Sequence, residues 1–381
     1  MLPRLFPLEY PDRNNHQQTI IWPLKTIFRT RTMTIAVAIS GGTDSMFALL
    51  SLKEQGHNVI ALHAHFLPRS EEREQALAAM CEQLDVPFHA VDLHDEFERC
   101  VVLPFLDEYA KARTPNPCAL CNARMKFGAL WREAEKLGAT HIATGHYAVL
   151  HEHPAYGRIL SRGEDATKDQ SYFLSLVSPA ALARAVFPLG TWTKEAVKAN
   201  LAQRGLIPPY PSESQEICFV PDDDYRAFLR SRPVALHGKG PMVTTDGERV
   251  GTHEGLWQYT EGQRKGLGIA WKAPLYVVGK DARTNTLVVG EKETLASAGC
   301  VVTNLNLLVP DEKWPSELLV RIRYRQQPLP ATVTMQTGPE SVRTMTVHFD
   351  TPRTPPAAGQ ICCVYDTEQN VLAGGIIDRA L

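Results

Sequence analysis

The chain has 381 residues, 44% of them apolar and 22% charged, the make-up of a globular protein too long for one small core. Its formal net charge of −2 gives no overall basic field, so an RNA partner has to be held by local patches. No apolar run approaches the roughly 20 residues of a membrane helix, and the eight cysteines, with no signal peptide, fit a reducing cytoplasm in which clustered thiols serve catalysis or metal binding.

Residues 1–32 have mixed charge, four prolines and no steady period. Glu9 and Asp12 argue against a transit peptide. Met33 is the expected natural start, with 1–32 an extension. From Thr34 short apolar runs alternate with helical stretches: IAVAI (Ile35–Ile39) as a strand, MFALLSLKEQG as a helix, NVIALHAHF as a strand, SEEREQALAAMCEQLD as a helix and PFHAVDL as a third strand. DEFERCVVLPFLDEYAKAR follows as a helix interrupted at Pro104, then the helical ARMKFGALWREAEKLG and the strand HIATGHY. This rhythm predicts a parallel sheet with helices on both faces over residues 33–222. After Asp222 turn signals become dense and short alternating strands follow. They predict a small β-rich central domain, 223–295, and a C-terminal β-barrel, 296–381, split near Glu291–Ala298.

Ligands of parallel sheets bind beyond the carboxyl ends of the strands. SGGTDS (Ser40–Ser45) sits at such an end, and so does TGHY. A glycine-rich turn entering a helix offers N–H groups to an anion, and the helix dipole favours negative charge there. Ser40, Thr43 and Ser45 add hydroxyls, while Asp44 suits an indirect Mg²⁺ contact or a positioning role. An ordinary strand-to-helix turn uses the same residue types. The loop lacks the GK[ST] of a Walker A motif. SGGxDS resembles the signature of the PP-loop ATP pyrophosphatases, which implies cleavage of ATP between its α and β phosphates and adenylation of an acceptor oxygen.

RTPNPCALCNARMKFG (Arg113–Gly128) carries Cys118 and Cys121 behind two stiffening prolines, and SESQEICFV (Ser212–Val220) carries Cys218. With SGGTDS, ATGHY, KDQSYFL, FPLG, GLWQYTEGQRKGLGI, RYRQ and GQICCVYD, these blocks resemble, in order and from Met33 to the C-terminus, the tRNA-specific 2-thiouridylases. The resemblance implies an α/β PP-loop domain followed by the two β-rich domains. It implies ATP-dependent 2-thiolation of the wobble uridine of tRNA, by adenylation of O2 and then sulfur transfer. Ala38, Ile39, Ser40, Gly41, Gly42, Thr43, Asp44, Ser45, Ala64 and Gly145 are implied to bind ATP. Ala64 replaces a methionine common in the family, and its backbone contact is expected to survive. Cys121 matches the catalytic cysteine and Cys218 the persulfide carrier, with Asp44 counted in the catalytic set. His146, Lys168, Asp169, Gln170, Arg323, Tyr324 and Gln360 match contacts to the base or tRNA. The thiols should lie in partly exposed, electropositive surroundings, helped by Lys126 and Arg124.

Many family members have Asp where Cys118 stands. Three cysteines in one cleft can ligate three irons of a [4Fe–4S] cluster and leave the fourth iron open to sulfide, and a zinc site lacks a fourth ligand. Persulfide and cluster routes both stay open. The expected partners are tRNA and a sulfur-donor protein or free sulfide, with no membrane, the chain being a monomer or weak dimer. An ATP-using ligase or thiolase with another acceptor, or a non-catalytic RNA- or sulfur-carrier-binding protein, are the alternatives.

Plainer roles suit other residues. Cys81, Cys100, Cys300, Cys362 and Cys363 lie in apolar runs as small core residues. His63 and His65 read as ordinary strand residues, and His151 and His153 as loop residues. Asp222–Asp224 reads as a solvated turn capping the helix YRAFLRS. Arg321, Arg323 and Arg325 alternate as on one strand face, solvated or phosphate-binding.

Overall fold

The computed structural model describes residues 32–211, 217–338 and 342–381. The N-terminal extension, Thr32 apart, and the Ser212–Glu216 part of SESQEICFV lie outside the described residues.

TIAVA forms strand β1 (Thr34–Ala38), whose side chains alternate between two cores. Ile35 and Val37 enter one and Ala36 the other, all fully buried. A strand covered on both faces reads as a continuous apolar run, the mark of a parallel sheet between helical layers. β2 (Asn58–His65) and β4 (His141–Ala143) flank it in parallel register, with Ala38 opposite Leu62 and Val37 opposite Ala143. With β3 (Phe88–Asp92), the hairpin β5 (Ala148–His153) and β6 (Gly157–Arg162), and β7 (Ala185–Val186) introduced, the sheet order is β3-β2-β1-β4-β7. The direction of winding reverses between β1 and β4, and a crevice opens beyond their carboxyl ends. SGGTDS leaves β1 and TGHY leaves β4, so both loops border it.

The α-helices ahead of β4 are α1 (Thr43–Glu54), α2 (Glu71–Gln83), α3 (His94–Phe97), α4 (Leu103–Ala110), α5 (Pro117–Leu120) and α6 (Leu130–Lys136). α1 starts at Thr43, ahead of the predicted Met46. Pro104 does not interrupt its helix. The chain stays helical from His94 to Ala110, with a wider π turn at Glu98–Val102 ahead of the proline. The wider turn accommodates the ring and its missing N–H. His151 and His153 lie on β5 rather than in a loop. Cys81, Cys300, Cys362 and Cys363 are buried as expected, and Cys100 is half-buried.

Beyond Asp224, which caps the next helix by accepting from Arg226 and Ala227 N–H, the chain turns to strands, antiparallel except where β8 and β11 pair in parallel. β8 (Gly240–Thr244), β9 (Arg249–His253), β10 (Tyr276–Asp281) and β11 (Thr286–Gly290) form a sheet of order β10-β11-β8-β9. β12 (Ser297–Leu307), β13 (Leu319–Arg321), β14 (Leu329–Thr337), β15 (Arg343–Arg353), β16 (Ile361–Tyr365) and β17 (Val371–Ala380) close a barrel in the order β12-β15-β14-β13-β16-β17. Ile361, Cys363, Tyr365 and Val371 of the barrel share one apolar core with Ala36, Leu62 and Ile142 of the parallel sheet. Strand β13 ends at Arg321, so the arginines of RIRYR do not share a strand face: Arg321 is buried, Arg323 half-buried and Arg325 exposed. Among the described residues no helix is long and apolar enough to cross a membrane.

Candidate active site

Helix α1 begins at Gly42 with no side-chain cap, so its first turn keeps N–H groups for an anion. Ser45 Oγ donates to Gly42 O at 3.0 Å and accepts from Ser40 N–H at 3.2 Å, which fixes the loop from within. Gly41 has φ +84°, and a Cβ there would come within 2.7 Å of the Tyr210 ring. Ala64 is the last residue but one of β2, its carbonyl accepting from Phe66 N–H at 3.1 Å. Asp44 Oδ1 accepts from Lys194 Nζ at 2.7 Å and from Tyr147 OH at 2.9 Å. The carboxylate that would repel phosphate is thus neutralised by a lysine whose side chain is only 3% exposed.

Lys194 and Tyr147 were not singled out from the sequence. A signal existed for Lys194. It opens the helix Lys194–Gln203, where the dipole disfavours a cation, so a lysine there needs a local anion.

Gly145 joins this loop to the thiols. A Cβ at Gly145 would lie 2.8 Å from the Asp44 backbone, so only glycine lets the TGHY loop approach so closely. The next residue, His146, is buried, its Nδ1 2.6 Å from Thr144 Oγ1 and its Nε2 3.4 Å from Lys126 Nζ. Burial and then the Lys126 charge push its pKa well down, so the ring is neutral. Nε2 accepts from the ammonium, which leaves the proton on Nδ1 facing Thr144. His146 therefore supports Lys126 from beneath the surface.

Cys118 lies on α5, whose N-terminus is capped by Asn116 Oδ1 accepting from Ala119 N–H, with Pro117 at the first position. Cys121 opens a π-helical stretch, Cys121–Ala129, of the kind frequent at functional sites. Asn122 donates to Phe173 O at 3.0 Å and keeps a buried Oδ1 with no partner among the described residues. Cys218 is exposed on a turn anchored by its neighbour Phe219, whose ring packs on Phe97, Phe105 and Phe228. A cavity of about 680 Å³ opens beside Cys218, with the Glu98–Arg232 ion pair on its wall. Negative charge on any of the three sulfurs is favoured by Lys126, and charge on Cys218 is felt at both Cys118 and Cys121. The fold thus gathers the three cysteines around one ammonium group.

The thiols are at least partly exposed and share the Lys126 charge, but burial outweighs it. Burial pushes the Cys121 thiol up to about 12, with Lys126 opposing. Cys118 and Cys218 are also pushed up by burial, although both side chains reach the surface. Arg124 does not help, because its guanidinium donates to Cys100 O at 3.3 Å.

The residues matched to tRNA contacts divide. Asp169 is fully buried, ion-paired to Arg321 at 2.6 Å and to Arg162 at 3.2 Å, and so ties segments of the fold together. Gln170 Oε1 accepts from Tyr147 N–H at 3.0 Å. Arg323 donates to Glu261 O and Pro355 O, and Gln360 Nε2 to Thr114 O and Pro115 O. Lys168 and Tyr324 are both half-exposed and close enough for the lysine charge to act on the phenol.

A glycine loop at the switch point of a parallel sheet, joined through one loop to a thiol cluster, defines a nucleotide-binding enzyme that uses sulfur. Three domain families match the chain: the tRNA methyl transferase HUP domain over residues 33–222, the tRNA methyl transferase PRC-barrel domain over 227–291 and the aminomethyltransferase beta-barrel domain over 297–377. The tRNA-specific 2-thiouridylase MnmA of Nitratidesulfovibrio vulgaris (strain DP4) is 60% identical over 91% of this chain and 99% of its own length. That of Oleidesulfovibrio alaskensis is 55% identical over the same shares. The chain belongs to the tRNA-specific 2-thiouridylase family. A solved structure, the U34-tRNA thiolase NcsA from Methanococcus maripaludis with its [4Fe-4S] cluster, is 15% identical with a TM-score of 0.31 over 52% of this chain and 65% of that one, a likeness too low to bear on ligands or mechanism.

Proposed function

We propose that this protein transfers sulfur to C2 of the wobble uridine of tRNA after activating the base with ATP. The observation that carries the reading is the chain of contacts from loop to thiols: Asp44 against Gly145, His146 against Lys126, and Lys126 in the field of all three cysteines. An ammonia-using ligase has no use for such a cluster. The relatives are named as acting on tRNA, which favours that acceptor.

In this reading residues 38–45, Ala64 and Gly145 hold ATP, with the α1 N-terminus facing the pyrophosphate and Lys194 cancelling the Asp44 charge that would repel it. Mg²⁺ would accompany the phosphates, and Asp44 Oδ2 is the oxygen that Lys194 and Tyr147 leave over. O2 of the uridine attacks the α-phosphorus and pyrophosphate leaves. The terminal sulfur of a persulfide on Cys218, its proton lost to solvent, attacks C2, and AMP departs with O2. The Cys121 thiolate then attacks Cys218 Sγ. This releases the thiouridine and forms a Cys121–Cys218 disulfide, which a thiol reductant reopens. The persulfide forms when a donor protein's persulfide passes its outer sulfur to the Cys218 thiol, the donor leaving as a thiol, or when free sulfide in place of the reductant opens the Cys121–Cys218 disulfide at Cys218 and releases Cys121 as a thiol. A cytoplasmic setting suits the free thiols, and a monomer or weak dimer suffices. Lys168 and Tyr324 remain the tRNA contacts best placed at the surface.

The [4Fe–4S] route fits less well. Among the described residues no three His, Cys, Asp or Glu side chains stand where they could hold a metal ion. No step here runs through a cluster, and Cys118 stays outside the sulfur path.

Incubation of the protein with ATP, Mg²⁺, a sulfur donor and unmodified tRNA under anaerobic conditions is expected to yield 2-thiouridine by nucleoside mass spectrometry. Cys121→Ala and Cys218→Ala are expected to abolish it while ATP and tRNA binding persist. An unchanged nucleoside profile with wild-type protein would overturn the reading. Loss of activity in Cys118→Ala, together with iron and acid-labile sulfide in the wild type, would return the cluster.

A further inference from the structure

The turn that presents the cysteines is preceded by a strap, Arg113–Asn116, whose backbone is bonded by the barrel and whose Thr114 hydroxyl is met by the central domain. From the barrel side, Thr114 N–H donates to Ala358 O at 2.8 Å, and Gln360 Nε2 donates to Thr114 O at 2.9 Å and Pro115 O at 3.1 Å. Gly359, at φ +92°, lies so close that a Cβ would come within 2.9 Å of Thr114 O. Arg113 reaches Asp378 at 3.1 Å and Ile377 O at 3.0 Å. From the central domain, Thr260 Oγ1 lies 3.2 Å from Thr114 Oγ1, and Lys280 Nζ stands 3.5 Å from the same hydroxyl. Lys280 is buried, donates to Tyr259 O at 3.0 Å and pairs with the buried Glu261 at 3.6 Å. Ala112, just before the strap, sits in the apolar core of the central domain with Met242, Tyr259 and Val277.

A surface loop does not need two domains to hold its polar groups; water does that. A buried ammonium is a costly means of holding one threonine, and only a glycine at 359 lets the barrel come so close to the strap. Prolines at 115 and 117 remove most of the freedom between Thr114 and Cys118, so a shift of Thr114 passes to the thiols. We propose that the central domain and the barrel clamp the Thr114–Pro115 strap to set the position of Cys118 and Cys121, with Gln360, Lys280 and Thr114 as positioning residues for the sulfur-transfer step. The inference rests on the proposed sulfur transfer for its catalytic consequence, but the clamp itself concerns only where the thiols stand. Sulfur transfer needs the reacting atoms about 3–3.5 Å apart, and a displacement of about 1 Å costs on the order of a hundredfold in rate.

The test compares Gln360→Ala and Thr114→Val with wild type and with Thr114→Ser, which retains the hydroxyl. Iodoacetamide alkylation of Cys118 and Cys121, followed peptide by peptide by mass spectrometry, reads the thiols without RNA or ATP. Pyrophosphate release reads adenylation, filter binding reads tRNA affinity, and thermal melting checks folding. The expected result is an alkylation rate at Cys121 changed about threefold or more, thiolation slowed about tenfold or more, and pyrophosphate release within about twofold of wild type. Thr114→Ser restores the wild-type values. Wild-type alkylation in both Gln360→Ala and Thr114→Val overturns the clamp, as does weakened tRNA binding with unchanged alkylation, which would make Gln360 an RNA contact. Equal loss of thiolation and pyrophosphate release in a folded variant also overturns it. If wild type itself forms no thiouridine, the functional reading fails while the alkylation comparison still decides the clamp.

Discussion

Three thiols and an imidazole share the field of the Lys126 ammonium. Lys126 opposes the burial that raises Cys118, Cys121 and Cys218, and its support is the neutral His146. With the Cys121 thiol pushed up to about 12, its thiolate fraction grows about tenfold per pH unit throughout the neutral range. Alkylation of Cys121 is therefore expected to rise with a slope near one in log rate from about pH 7 to 9, with no plateau. Removing the cation in Lys126→Met raises the thiol further and slows alkylation at a fixed pH by about threefold to tenfold. A plateau near neutral pH, or equal rates in the variant, would contradict this electrostatic picture. The three cysteines were legible as a set because a CxxC and a third cysteine lay in specific blocks. Their protonation was not, because desolvation depends on packing from distant segments.

At the level of elements, the phosphate loop was legible because its strand is covered on both faces and its glycines mark the turn. The partner loop gives a sharper test. Gly145 approaches the Asp44 backbone so closely that the methyl group of Gly145→Ala would need about the ~1–3 kcal/mol typical of overpacking. At the ATP site this reads as about a tenfold or larger loss of nucleotide affinity by calorimetry, with the rate of Cys218 alkylation unchanged. Unaltered ATP affinity would show that the two loops move independently. The π-helical stretches at Glu98–Val102 and Cys121–Ala129 left no trace in the sequence, since one extra residue in a turn barely alters a short hydrophobic pattern. The hairpin carrying His151 and His153 was missed because its first strand ends in the polar HEH, which reads as a loop.

Across the whole molecule, charges that read as solvated proved to be joints. KDQ and RYR both suggested an RNA-facing surface, yet Asp169 and Arg321, 152 residues apart, meet at 2.6 Å with side chains 0% and 5% exposed. Single-sequence patterns carry no information about such long-range pairing, because each charge taken alone is most cheaply placed in water. The pair joins the parallel-sheet domain to the barrel, next to contacts from Tyr172 OH to Ile361 O and between Ser171 Oγ and Tyr365 OH. Its net worth is small, but breaking it is expensive: Asp169→Asn leaves the Arg321 guanidinium buried and uncompensated, at about 3–5 kcal/mol. Removing both charges in Asp169→Asn/Arg321→Met takes away that penalty. Thermal melts are therefore expected to show a strongly lowered Tm for the single variant and recovery of more than half the loss in the double variant. The two effects are coupled, and simple addition is the outcome that would rule the joint out. Weakened tRNA binding by Asp169→Asn at a temperature where it stays folded would put the residue back at the RNA surface, where the sequence first suggested it.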